Sequence, residues 1–207
     1  MQQLRQNALD RRRKPGKPRP PASEKGGLNM NTAVQKKLEQ LKMEIARYPS
    51  AVIAFSGGVD STFLAAVAKE ILGDRVLLVT AYSSTYPEEE RKESQVLADS
   101  MGIRRIQIES EETDIERFSD NPPDRCYYCK RELFQRLIDV AQGEGLAVVF
   151  DGTNADDTQD YRPGRKALKE LGIVSPLMNA GMTKEEIRVC SREYRLATAE
   201  TPAYACL

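Results

Sequence analysis

The sequence predicts an α/β protein built on a doubly wound parallel sheet, and three observations predict it. From residue 31 onward, short apolar runs alternate with segments of helical periodicity. The runs are continuously apolar, as strands covered on both faces are. Two distinctive polar motifs, at residues 56–61 and 151–157, each follow such a run directly. In open α/β sheets, ligands bind beyond the carboxyl ends of the strands, so both motifs are expected to meet in one crevice.

The elements follow in order. Val34, Leu38, Leu41 and Ile45 recur at helical spacing across residues 31–48, and Pro49 closes that helix. Residues 51–55 form a buried strand. A glycine turn then opens a helix over residues 59–72. Residues 76–80 are a second strand. Residues 87–101 are helical, with Pro87 suited to the first turn. Residues 103–108 give a third strand. A polar, non-helical stretch carries Cys126 and Cys129, and a helix runs over about residues 130–142. Residues 146–150 are a fourth strand. Beyond residue 163 the chain turns helical, and Thr183-Lys184-Glu185-Glu186 reads as a capping box opening a helix that reaches about Tyr194. The expected organisation is a basic disordered tail over 1–29, a nucleotide domain over 30–163, and the start of a C-terminal helical region over 164–207.

Composition narrows the chemistry. About 40% of the 207 residues are hydrophobic, enough for a core, and the formal net charge is zero. The balance is uneven: residues 1–29 carry a net +6, leaving −6 on residues 30–207. The tail combines Arg11-Arg12-Arg13-Lys14 with a Pro-rich stretch and is read as a solvated segment, with Met30 an alternative start. The acidic remainder argues against a nucleic-acid surface. No apolar stretch approaches the ~20 residues of a membrane helix, and no secretory signal is present, so a cytoplasmic protein is expected. There is no histidine, which excludes Ser-His-Asp, Cys-His and His-zinc sites.

Ser56-Gly57-Gly58-Val59-Asp60-Ser61 joins the first strand to a helix. Its glycines permit a tight turn and close backbone approach to an anion. The helix N-terminus adds free amides and the positive end of a dipole. Ser56 and Ser61 add hydroxyls, and Asp60 suits a Mg²⁺ ion held against a phosphate. No Lys precedes the final Ser, so this is not a Walker A loop, and it lacks the spaced glycines of a dinucleotide fingerprint.

Asp151-Gly152-Thr153-Asn154-Ala155-Asp156-Asp157 follows the fourth strand. Three carboxylates at a sheet end suit a hard cation, Asp157 among its ligands. The same residues also favour an Asx-rich turn. Nearby, Arg165 is a candidate for a substrate phosphate or carboxylate. Cys126 and Cys129 form a Cys-x-x-Cys, Cys206 stands near the C-terminus, and Cys190 reads as core packing. The pair is open to redox, zinc or iron–sulfur readings; three thiolates suit a four-iron cluster with one open iron better than a four-ligand zinc site.

The hexapeptide resembles the SGGxDS signature of the PP-loop ATP-pyrophosphatases, an adenine nucleotide alpha hydrolase-like fold. That resemblance implies cleavage of ATP between its α and β phosphates, with AMP passing to a substrate. It also implies that Thr80, Ala81 and Tyr82, just past the second strand, border the adenine, with Gly152 close to the nucleotide. Taken with RCYYCK, DGTNADD, YRPGRKA, SPL and TPAYACL in order, the chain resembles the LarE family over about residues 31–207. The implied activity is an ATP-dependent sulfur transfer in nickel-pincer cofactor biosynthesis. A carboxylate of a pyridinium dicarboxylate mononucleotide would be adenylated and converted to a thiocarboxylate. The family has two sulfur routes: a sacrificial Cys at the position of Cys206, or a four-iron four-sulfur cluster on three Cys. Cys126, Cys129 and Cys206 match all three, which favours the cluster. Homo-oligomers are implied as well. The alternatives are another PP-loop enzyme such as a tRNA thiolase, or a nucleotide-binding remnant. The sequence ends one residue after Cys206, where family members continue for dozens, so an incomplete C-terminal region is expected.

Overall fold

The computed structural model describes residues 31–82, 88–109, 125–158 and 163–201. The basic tail, Ser83, Pro87, Arg162 and Cys206 lie outside the described residues. Four strands, β1 (Ala51–Ala54), β2 (Val76–Tyr82), β3 (Arg105–Glu109) and β4 (Val148–Phe150), form one parallel sheet in the order β3-β2-β1-β4. Val174 extends it with a parallel bridge to Phe150. The helices are α1 (Thr32–Ile45), α2 (Val59–Leu72), α3 (Glu88–Ser100), α4 (Arg125–Gly143), α5 (Pro163–Glu170), α6 (Pro176–Asn179) and α7 (Lys184–Glu193).

The layering explains the continuous apolar runs. Successive strand residues point to opposite faces. Ala51 and Ile53 of β1 pack with Leu41, Ile45, Phe63, Leu64, Leu177 and Ile187 on one side. Val52, with Leu77, Val79 and Val149, packs with Phe134, Leu137 and Leu168 on the other. Both faces are covered, so no position in β1 is free to be polar. Residues 176–193 contribute Leu177, Met182, Ile187 and Cys190 to the same core as α1 and α2. Cys190 is fully buried, and burial pushes its thiol up to about 11, with Glu186 and Glu193 adding to the rise.

Helix ends follow local chemistry. The Asn31 side chain accepts from the Ala33 amide at 2.5 Å and caps α1. The expected capping box of α7 is present in full: the Glu186 amide donates to Thr183 Oγ1 at 3.4 Å and the Thr183 amide to Glu186 Oε2 at 2.8 Å. Glu186 also binds Lys37 Nζ at 2.7 Å, which ties α7 to α1.

Two expectations are corrected. β2 runs to Tyr82, which pairs with Glu109, so Thr80, Ala81 and Tyr82 lie within the strand and not past it. Cys126 and Cys129 stand in the first turns of α4, not in a non-helical stretch. The helix starts earlier because α5 packs against it there. A Cβ on Gly164 would stand 3.2 Å from the Cys126 carbonyl oxygen and 2.6 Å from Lys130 Cδ.

Candidate active site

The turn after β1 is shaped by one glycine. Gly57 has φ +78°, a conformation that costs a side-chain-bearing residue about 1–2 kcal/mol. Gly58 has φ −72° and is the N-cap of α2, with no side-chain hydrogen bond closing the helix end. The first amides of α2 therefore open toward the crevice, together with the positive end of the helix dipole. The two serines brace the turn from within: Ser61 Oγ donates to the Gly58 carbonyl at 3.2 Å and lies 3.1 Å from Ser56 Oγ, which accepts from the Gly58 amide at 3.3 Å.

The second motif meets the first through Gly152. A Cβ there would stand 3.3 Å from the Ser61 nitrogen and 3.6 Å from Asp60 Cβ. A side chain there would push against the first turn of α2 by a few tenths of an ångström, so glycine gives the turn after β4 its close approach. The predicted convergence of the two motifs is thus observed.

Asp60 lies where the two motifs meet. Its Oδ2 accepts from Lys184 Nζ at 2.6 Å and from Asn154 Nδ2 at 3.4 Å. Its Oδ1 is buried and has no hydrogen-bond partner. Burial pushes the Asp60 carboxyl above its usual range, against the pull of Lys184 and Asn154, and the charge of Asp157 adds to the rise. A buried carboxylate oxygen without a partner is a costly arrangement that a cation would relieve.

Of the other carboxylates, Asp156 and Asp157 brace the turn, while Asp151, like Asp60, keeps one buried oxygen without a partner. Asp151 is buried at the end of β4, beside the hydroxyls of Thr153 and Ser175, and desolvation raises its pKa. Asp156 Oδ2 accepts from the Lys184 amide at 2.8 Å, and the Asp156 amide donates to Asn154 Oδ1 at 2.9 Å. Asp157 Oδ2 accepts from the Asn154 amide at 3.1 Å. The Asx-rich turn and the acidic site are one object. Among the described residues, no three Cys, Asp or Glu side chains cluster as a self-sufficient metal site. Asp60 fits Mg²⁺ nonetheless, because that ion typically takes one or two carboxylates and completes its shell with phosphates and water.

The remaining predicted residues are distributed around this centre. Thr80 is buried, and its hydroxyl has no hydrogen-bond partner. The Tyr82 hydroxyl bonds Ser94 and accepts from Arg105 Nη1 at 2.9 Å. The missing Cβ of Gly57 would touch Ser94, so this network backs the turn. Arg165 on α5 is half-buried, with Nη2 3.5 Å from Met178 Sδ. Cys126 is exposed and Cys129 half-buried, three residues apart at the start of α4. Lys184 escaped the sequence reading, which saw residues 183–186 only as a cap. Its partner lies 124 residues away, and no local signal marks it.

The NAD synthase family profile matches residues 31–127. Residues 31–127 are thus similar to NAD synthases. The chain is 39% identical over 174 residues to an uncharacterized protein of Synechocystis, covering 84% of this chain and 65% of that one. It is 37% identical over 145 residues to the pyridinium-3,5-bisthiocarboxylic acid mononucleotide synthase of Lactiplantibacillus plantarum, covering 70% and 52%. The chain therefore spans between half and two thirds of the length of these relatives. Among solved structures, NMN synthetase from Francisella tularensis superposes with TM-score 0.63 at 16% identity, covering 83% of this chain and 74% of that one. The U34-tRNA thiolase NcsA of Methanococcus maripaludis, with its [4Fe-4S] cluster, gives 0.60 at 17%, covering 84% and 69%. At these identities the two structures establish the fold of the PP-loop domain, as expected from the sequence.

Proposed function

We propose that this protein is an ATP-dependent sulfur transferase of nickel-pincer cofactor biosynthesis. It adenylates a carboxylate of a pyridinium dicarboxylate mononucleotide and converts it to a thiocarboxylate. The observation that carries the reading is the open α2 N-terminus beside the partnerless Oδ1 of Asp60. The identity to the Lactiplantibacillus plantarum synthase supports this substrate class.

In this reading the substrate carboxylate attacks the α-phosphorus of ATP. The bond to the bridging oxygen breaks, and pyrophosphate leaves onto the turn at residues 56–61. The α2 amides stabilise the departing charge without reorganising, on a turn that Ser56 and Ser61 brace from within. Asp60, with Asp157 near it, would hold Mg²⁺, which screens the phosphate oxygens when bound. Lys184 sits within reach of the same place and supplies a mobile positive charge. A sulfur nucleophile then attacks the acyl carbon and AMP departs; a thiolate-type sulfur competes well with water for such a mixed anhydride. Cys126, Cys129 and Cys206 would hold a four-iron four-sulfur cluster, which when bound offers sulfide. The first two suit this role by standing one turn apart at a helix start.

The test is pyrophosphate release from ATP, measured with and without the pyridinium substrate. Release that depends on it supports the reading, and release that depends on tRNA instead would move the protein to the thiolases. A Gly57→Val protein, unable to adopt φ +78° without strain, should bind Mg-ATP roughly tenfold more weakly or worse. Gly58, at φ −72°, makes the weaker test. Anaerobic preparation with iron and sulfide analysis decides the sulfur route; full iron retention by a Cys126→Ala protein would end the cluster.

A further inference from the structure

A cavity of about 460 Å³ opens between α5 and the segment 173–179. Arg165, Lys166 and Lys169 contribute to its wall, and among the described residues that line it none is acidic. Tyr48 and Met178 give it an apolar side. Its size falls within the roughly 300–1,000 Å³ usual for small-molecule sites, and apolar walls with a few convergent charges are their usual lining.

The cavity is joined to the nucleotide turn by three consecutive residues. Thr153 lines it, and the Thr153 hydroxyl bonds Asp151. Between them, Gly152 rests on Ser61. One face of this turn touches α2 and the other faces the cavity.

We propose that this cavity seats the acceptor: a flat ring bearing a carboxylate and at least one further anionic group, such as a phosphate. The ring lies on the apolar side, and the anions face the three cations of α5. Arg165 offers a planar fork for a carboxylate or phosphate, and the lysines act as point charges. Lys166 is also 3.9 Å from Glu170 and 5.6 Å from the Tyr127 ring. The inference rests on the adenylation reading, because it needs an acceptor close to the nucleotide.

The experiment measures nicotinate mononucleotide binding to the full chain saturated with a non-hydrolysable Mg-ATP analogue. Nicotinate riboside, which lacks the phosphate, is the comparison. A Lys166→Glu/Lys169→Glu protein should bind the mononucleotide roughly tenfold more weakly and lose most of its preference over the riboside. Both lysines are exposed, so folding is expected to survive, and circular dichroism checks it. Analogue affinity on the same proteins reports the PP-loop reading separately. Unchanged mononucleotide affinity in the folded double variant overturns the assignment, as does wild-type protein that binds the analogue but not the probe. Competition between probe and analogue for one site overturns it too.

Discussion

Two helices begin in the same crevice, and they begin in opposite ways. The start of α7 is closed: Thr183 and Glu186 satisfy each other's amides, Asp156 takes the Lys184 amide, and Lys37 holds Glu186 from α1. The start of α2 is open: its cap is a glycine without a side-chain bond, and the neighbouring Asp60 keeps one oxygen unpaired. Orphan amides at a helix end must find partners. At α7 the protein supplies them, and the result is a rigid mount for Lys184. At α2 no side-chain cap supplies them, which is what the proposed nucleotide site requires. The contrast separates residues that hold the crevice from residues that use it.

The largest effect should come from the open end. Asp60→Asn is expected to lower Mg-dependent pyrophosphate release roughly a hundredfold or more with the fold intact. A variant within tenfold of wild type would remove Asp60 from the chemistry and erase the contrast. Next is the tie between the two ends. Lys184→Met leaves a largely buried carboxylate without its cation and should cost about 1–2 kcal/mol in urea unfolding at neutral pH. Asp60 already takes up a proton more readily folded than unfolded. The penalty for its ionised form is present above its raised folded value and absent below the ordinary 3.8. The Lys184→Met defect should therefore shrink as pH falls through that window. A defect that stays constant would mean the pair acts by packing alone.

The closed end should give smaller, purely structural losses. Thr183→Ala removes half of the capping box and is expected to cost about 1 kcal/mol, with Mg-ATP affinity nearly unchanged. A large loss of affinity would show that the α7 mount is more than a support. Glu186→Gln keeps an acceptor for the Thr183 amide and loses the charge facing Lys37, for about 0.5 kcal/mol. Burial works to raise the Glu186 pKa, but the bonds from Lys37 and from Thr183 outweigh it and hold the carboxyl below its ordinary 4.5. Its contribution is present above 4.5 and is lost as pH falls through the depressed folded value. Wild type and Glu186→Gln should converge there, and acid-unfolding curves compare them directly.

Much of the fold was legible because it is written in local periodicity. The runs at 51–55 and 76–80 are typical of strands covered on both faces, and α2 begins and ends where the glycine turn and the apolar spacing predict. The turn at 56–61 was legible for a similar reason: a tight turn, a bare helix end and an acid occur together within six residues. The errors arose where distant packing sets a boundary. Cys126-Tyr127-Tyr128-Cys129 has no strong helical preference, yet α5 crossing at Gly164 fixes it as helix. β2 outlasts its apolar run because β3 continues to pair with it through Tyr82 and Glu109.

By itself, then, the sequence determined the layer architecture and the open turn at 56–61, since both depend on residues near one another in the chain. Only the tertiary structure decided that Lys184 reaches Asp60, that Gly152 must be small to rest on Ser61, and that three cations of α5 share a cavity with Tyr48. These are contacts between elements, and spacing along a chain carries no record of which surfaces meet once the sheet is wound.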